Sequence, residues 1–290
     1  MQSPQVTSFF HEPTNTMTYL VCEPGSPYCV LIDPVMDYDS ASGQLSHQFA
    51  DRIVSHVVEN DLIVSWILET HAHADHITAA PYLQKKFGSQ VAIGKYITEV
   101  QSVFSQIFNL EAGFATDGRQ FDRLLAEGDV LEAGPLRIEV IHTPGHTPAC
   151  VSYLIGDAVF VGDTLFMPDY GTARCDFPKG DAATLYRSIQ KLLALPEDTR
   201  MFVGHDYKSP TRDAFAWQTT VGEQKHRNVH VHEGVSEQAF VSMREQRDAT
   251  LAVPKLLYPS VQLNIRGGHL PPAEGDNQFF IRIPLRMASE

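Results

Sequence analysis

The stretch Val64-Ser-Trp-Ile-Leu-Glu-Thr-His-Ala-His-Ala-Asp-His76 runs an apolar segment straight into three histidines and an aspartate within six positions. A short apolar run of this kind reads as a buried strand. Side chains at its C-terminal end then sit on a loop held by a rigid sheet, where α/β proteins concentrate their chemistry. After Ile77-Thr-Ala-Ala80 the pattern turns helical over 79–87, with Pro81 in the first turn, where a missing N–H costs little.

The arrangement recurs three times downstream. Leu136-Arg-Ile-Glu-Val-Ile141 leads into His142-Thr-Pro-Gly-His146, Ala158-Val-Phe-Val-Gly162 into Asp163, and Arg200-Met-Phe-Val-Gly204 into His205. Pro144-Gly145 marks a tight turn that presents His146. Gly162 and Gly204 remove a side chain just before a candidate ligand and permit close backbone approach. His71, His73, Asp75, His76, His146, Asp163 and His205 therefore read as one metal site, and imidazole with carboxylate suits zinc or iron. An isolated histidine is more often a surface or satisfied core residue. His11, His47, His56, His226 and His269 are read that way, and so is His230-Val-His232, although its two rings share a strand face. His142 stays unassigned.

Around these ligands, short apolar runs alternate with helical patterns for roughly the first 205 residues. Strands are expected at 6–10, 17–22, 28–33, 64–69, 90–93, 136–141, 150–155, 158–161 and 201–203. Phe49, Ile53 and Val57 form an apolar face on a helix at 46–60. Asp181 is a natural N-cap for a helix at 182–194 whose Leu185, Ile189 and Leu192 face the core. Residues 206–290 are looser, with Pro210, Pro254, Pro259, Pro271 and Pro272 spread through them and a strand-like end at 277–285, and read as elaboration of one domain spanning 1–290.

Composition narrows the class. Hydrophobic residues make up 43% and charged residues 20%, ordinary for a globular chain with a real core. A net charge of −13 disfavours nonspecific binding to nucleic acid or acidic membranes. No apolar run is long enough to span a bilayer. Cys22, Cys29, Cys150 and Cys175 include no CxxC pair, and the N-terminus has no signal-peptide pattern, so a cytoplasmic location is expected.

The motif His-x-His-x-Asp-His at 71–76, followed by a lone His, a lone Asp and a final His, resembles the metallo-β-lactamase superfamily over most of the first 210 residues. The resemblance implies an αββα sandwich, two mixed β-sheets face to face with helices outside and the site along one edge. His71-Ala-His-Ala-Asp-His-Ile-Thr78, Thr143-Pro-Gly-His-Thr-Pro148, Val161-Gly-Asp-Thr-Leu165, Gly171-Thr-Ala-Arg-Cys-Asp-Phe177 and His205-Asp-Tyr207 are further similar to the persulfide dioxygenases. That family oxidises glutathione persulfide with O₂ to sulfite and thiol. It implies one Fe(II) per chain on His71, His146 and Asp163, a 2-His-1-carboxylate triad with positions left open. His73, Asp75, His76 and His205 would then support the ligands or form a vacant second metal site. The family also implies a homodimer. Thr172 stands where its mitochondrial members carry Cys, and Cys175, offset from that place, takes over no role.

A glutathione carrier calls for cations and hydrogen-bond donors, for which Arg174, Tyr207, Lys208 and Arg212 are the candidates. Two other readings remain open. A glyoxalase II-like thioesterase or lactone hydrolase would place two zinc ions on His71, His73 and His146 and on Asp75, His76 and His205, with Asp163 bridging. A non-enzymatic metal-binding sensor would need a coordinatively closed site.

Overall fold

The computed structural model describes residues 3–285 and 287. Two six-stranded mixed sheets carry the architecture. In the first, Gln5–His11, Thr16–Cys22 and Tyr28–Ile32 run antiparallel, and Ile63–Glu69, Gln90–Gly94 and Arg123–Leu125 continue in parallel register. In the second, Val130–Ala133, Leu136–His142, Val151–Ile155 and Ala158–Phe160 form an antiparallel meander. Arg200–Phe202 joins it in parallel, and Gln218–Thr220 closes the edge. A small third sheet orders Gln44–Ser46, Val35–Asp39 and Ile77–Thr78. The α-helices among the described residues are α1 (Gln48–Glu59), α2 (Ala80–Phe87), α3 (Ile97–Ile107), α4 (Ala182–Leu193), α5 (Val221–Arg227), α6 (Glu237–Asp248) and α7 (Leu257–Asn264).

The period of two along each strand sorts side chains between layers. Met17, Tyr19 and Val21 point into the cluster between the sheets, where they meet Ile138, Tyr153, Phe160 and Phe202. Leu20 and Cys22 point the other way, into a core shared with Phe49, Ile53, Leu83, Phe104 and Val261 of the outer helices. Across the second sheet, Val159 and Met201 pack on Leu185, Ile189 and Phe240. Helices on both outer faces of a sheet pair make the expected αββα sandwich.

Each strand expected from the first 205 residues is present with its ends shifted by a residue or so, and α1, α2 and α4 lie where their apolar spacing put them. Asp181 caps α4, accepting from the Thr184 N–H at 2.7 Å. The strand expected at 277–285 does not form. That segment is a turn and irregular coil with one isolated bridge, Glu274 to Gln278, and the Arg282 backbone pairs with the Gln262 side chain of α7 instead of with a strand. Residues beyond 205 add an edge strand to the second sheet and helices to both outer layers.

Candidate metal centre

The site forms where the C-terminal ends of strands from the two sheets meet. His71 follows Ile63–Glu69 in the first sheet; Asp163 and His205 follow Ala158–Phe160 and Arg200–Phe202 in the second. Two glycines make the approach possible. A Cβ on Gly162 (φ 49°) would lie 2.5 Å from Thr70 Oγ1, and one on Gly145 (φ 139°) 2.4 Å from the Leu185 backbone. The first lets the sheets close on each other; the second lets the His146 turn sit on α4.

Three ligand groups converge among the described residues: His71, His146 and Asp163; His73, Asp75 and His76; and Asp33, Glu69 and His73. In the first, Asp163 Oδ2 lies 3.9 Å from His71 Nε2 and 3.6 Å from His146 Nε2. The sets expected of a dinuclear hydrolase, His71–His73–His146 and Asp75–His76–His205, are not among the groups whose donor atoms come within 4.8 Å of one another.

Hydrogen bonds set the orientation of each ring. His146 Nδ1 donates to the Arg174 carbonyl at 2.7 Å, so its Nε2 carries the lone pair that faces Asp163. Thr70 Oγ1 donates to Asp33 Oδ2 at 2.7 Å and is left to accept from His71 Nδ1 at 3.0 Å, which frees His71 Nε2 in the same way. Burial and the surrounding imidazoles hold the His71 pKa well below its usual value, so the ring is neutral and able to ligate. His73 differs: its Nε2 lies 3.1 Å from both Asp33 Oδ1 and Glu69 Oε2. Burial works against a proton there, but the two carboxylates outweigh it and raise the pKa. Asp33 is the firmer anion of the two. Burial opposes its charge, yet His73 and the Thr70 N–H and hydroxyl hold its pKa low, whereas burial pushes Glu69 up. His205 Nε2 stands 3.3 Å from Asp75 Oδ2 and 3.2 Å from Asp163 Oδ1, and these charges raise its pKa against the effect of burial.

What remains unsatisfied fits a metal. His71 Nε2, His73 Nδ1, Asp75 Oδ2, His76 Nε2 and Asp163 Oδ1 are buried without hydrogen-bond partners. Each such atom costs about 1–3 kcal/mol in the absence of a ligand, and native structures seldom gather several in one place without one. The third group, by contrast, is internally hydrogen-bonded and needs no ion.

His146 and Asp163 open onto a cavity of about 220 Å³ walled by Phe166, Tyr170, Phe177 and Tyr207. Arg174 lies on its wall, its guanidinium held by Asp176 (2.6 Å from Nη2) and the Ala252 carbonyl (2.7 Å). Tyr207 stacks on the His205 ring at 5.7 Å. The structure does not bring Lys208 or Arg212 to this cavity. Lys208 pairs with the exposed Asp213, and Arg212 spends its charge on Asp206 and Asp169. Local sequence proximity to His205 put them near the site, but the chain turns away after Tyr207. Besides Arg174, the cations that reach the cavity come from α6: Arg244, buried and paired with Asp248, and Arg247, exposed and without an ion pair among the described residues. Nothing in the sequence marked them, since they lie far along the chain from every ligand.

The loop over the cavity is held from α6 as well. Arg244 donates to the Thr172 carbonyl at 3.0 Å, and Asp248 accepts the Cys175 N–H at 2.8 Å. His230 is structural as expected, its Nδ1 accepting the Thr172 N–H at 3.0 Å. Burial pushes the Cys175 thiol pKa up, so no thiolate is available there.

Comparison with known proteins agrees with this geometry. The Metallo-beta-lactamase superfamily pattern matches residues 11–205. The chain is 50% identical to a probable metallo-hydrolase of Burkholderia pseudomallei over 97% of its own length and 98% of the relative's. It is 48% identical to glyoxylase B2 of Dictyostelium discoideum (89% and 88%), and 30% identical to the mitochondrial persulfide dioxygenase ETHE1 of Bos taurus (91% and 89%). The beta-lactamase hydrolase-like proteins of Xylella fastidiosa are longer, and the chain spans 65% of their length. The crystal structure of ETHE1 from Myxococcus xanthus superposes with a TM-score of 0.73 at 32% identity, covering 91% of this chain and 100% of that one. The chain belongs to the metallo-β-lactamase superfamily.

Proposed function

We propose that this enzyme is a mononuclear Fe(II) persulfide dioxygenase acting on glutathione persulfide or a similar small anionic persulfide. The observation that carries the reading is the convergence of His71, His146 and Asp163 as a separate group, with His73 turned onto two carboxylates. Two imidazoles and one carboxylate on one side of an ion form the facial triad of non-haem iron oxygenases. The likeness to ETHE1 proteins supports the same reading. The balanced reaction takes glutathione persulfide, O₂ and water to glutathione, sulfite and two protons. Bound Fe(II) supplies the redox chemistry and the template that brings sulfur and oxygen together.

The chain's own residues do the rest. The Arg174 carbonyl and Thr70 hydroxyl fix the lone pairs of His146 and His71, as outer-shell partners of metal ligands do. Asp163 also reaches His205, whose Nε2 lies 3.2 Å from its Oδ1, which ties the triad to the final histidine. Phe166, Tyr170 and Phe177 give the cavity apolar walls that exclude bulk water from the reacting sulfur. Arg247, uncommitted at the cavity, recognises a carboxylate of the thiol carrier, and Arg174 lines the same space. Product sulfite and the carrier both bear negative charge, which this local cation density accommodates despite an acidic chain.

A dinuclear zinc thioesterase is the second reading, favoured by the unpartnered Asp75 and His76 atoms and by the glyoxylase B2 relative. One preparation separates the two. Protein purified without oxygen is analysed for metal, followed on an O₂ electrode with glutathione persulfide, and assayed for glutathione thioester hydrolysis. Iron with persulfide-dependent O₂ uptake is expected; two zinc ions with thioester hydrolysis and no uptake would replace the proposal with the second reading.

A further inference from the structure

The turn that carries His73, Asp75 and His76 has no regular structure, and residues 71–76 take part in no turn or loop backbone hydrogen bond among the described residues. Buried backbone groups need partners, so something outside the turn must supply them. One side chain does. Asn264, the last residue of α7, donates through Nδ2 to the His73 carbonyl at 2.8 Å and to the His76 carbonyl at 2.7 Å. Its Oδ1 accepts the Thr78 N–H at 3.0 Å. Only a carboxamide supplies two donors and an acceptor from one planar group. Asp at this position would face both carbonyls with oxygen, and Gln would be one methylene too long.

Asn264 is itself firmly placed. It is 3% exposed, and α7 buries Val261 and Leu263 in the outer core of the first sheet. Beyond the helix, Gln101 donates to the Ile265 carbonyl at 2.9 Å, and Arg266 forms a bidentate pair with Glu111 at 2.6 and 2.8 Å. The segment is anchored to the fold on one side and grips the ligand turn on the other.

We propose that Asn264 is a positioning residue that holds the His73–Thr78 turn in its metal-ready geometry before any ion binds, so that the C-terminal segment is part of the metal centre's scaffold. The inference rests on the metal centre alone and not on the identity of the metal, so Zn(II) tests it even where the iron reading fails. Asn264→Ala and Asn264→Asp are compared with Arg266→Gln, which breaks the neighbouring anchor but leaves the clamp. Metal dissociation constants are measured by chelator competition and stability by thermal melting of the metal-free protein. Both Asn264 variants should bind Zn(II) or Fe(II) about tenfold or more weakly, the scale of losing an outer-shell partner. Arg266→Gln should lower the melting temperature and leave the affinity within about twofold. Equal affinity loss in all three variants at matched loss of stability, or unchanged affinity in the Asn264 pair, would overturn the proposal. In the unsubstituted metal-free protein, hydrogen exchange at the Thr78 amide should be slow. Fast exchange there would overturn the proposal too, with no variant required.

Discussion

Asp33 is the point at which a single substitution should separate the two imidazoles of the ligand motif. It sits at the end of Tyr28–Ile32 with φ 49°, a left-handed conformation that Asp and Asn tolerate better than Ala. Its carboxylate accepts the Thr70 N–H at 2.7 Å, the Thr70 hydroxyl at 2.7 Å and His73 Nε2 at 3.1 Å. Asp33→Ala leaves a buried imidazole with one carboxylate fewer, removes two Thr70 bonds and strains the backbone. Breaking a buried pair costs about 3–5 kcal/mol, and for a chain of 290 residues a loss of that size lowers the melting temperature by about 5–8 °C. Asp33→Asn keeps the backbone preference and one acceptor oxygen, so its melting temperature should fall by less. Its amide, however, cannot accept the Thr70 hydroxyl. That hydroxyl then turns, His71 Nδ1 loses its acceptor, and the lone pair on Nε2 is no longer fixed. Metal affinity should drop about tenfold to a hundredfold in Asp33→Asn, out of proportion to its stability loss. Thermal melts with and without metal, and chelator competition on the same samples, read the two effects apart. Asp33→Asn with full metal affinity, or Asp33→Ala melting within about 2 °C of the parent, would refute the relay from Asp33 through Thr70 to His71.

Further predictions address the cavity, the anchors and the metal. Arg247→Ala should raise KM for glutathione persulfide about tenfold with little change in kcat, whereas Arg212→Ala should leave KM alone and destabilise the protein by leaving the buried Asp206 unpaired; steady-state kinetics and melting separate them. The Arg266 guanidinium holds the Glu111 pKa below the usual carboxylate value. Its contribution is therefore complete above about pH 4.5, the unfolded value, and lost as pH falls through the lower folded one. Glu111→Gln should flatten the acid limb of a melting-temperature profile between about pH 5 and pH 3. Stripping the metal should lower the melting temperature, with recovery that depends on ion concentration as binding linkage requires.

Which parts of this protein its sequence determined can be traced residue by residue. The candidate ligand set was legible because metal chemistry favours His and Asp, and because His71, Asp163 and His205 each follow a short apolar run that reads as a strand. The paired sheets were legible from the same runs, whose alternation sends Met17, Tyr19 and Val21 inward and Leu20 outward. The short strands Arg123–Leu125, Val130–Ala133 and Gln218–Thr220 were not, since three or four residues hold too little periodicity to stand out. Helices α6 and α7 carry no clear signal for a related reason. Helix α6 is polar over most of its surface and buries Phe240, Arg244 and Asp248, while α7 is buried on nearly all sides, so neither shows a clear stripe.

Tertiary structure alone decided how the ligands divide and what supports them. His71 and His73 stand two residues apart in one motif, yet one ring faces Asp163 and the other faces Asp33 and Glu69. Asn264 grips a turn whose histidines lie 188 and 191 positions away along the chain, and Arg247 reaches the cavity from a helix the motif does not foretell. Sequence spacing specifies which donors exist and which face of an element they occupy. Their partners depend on how two sheets and three distant segments pack, and that is a property of the folded chain.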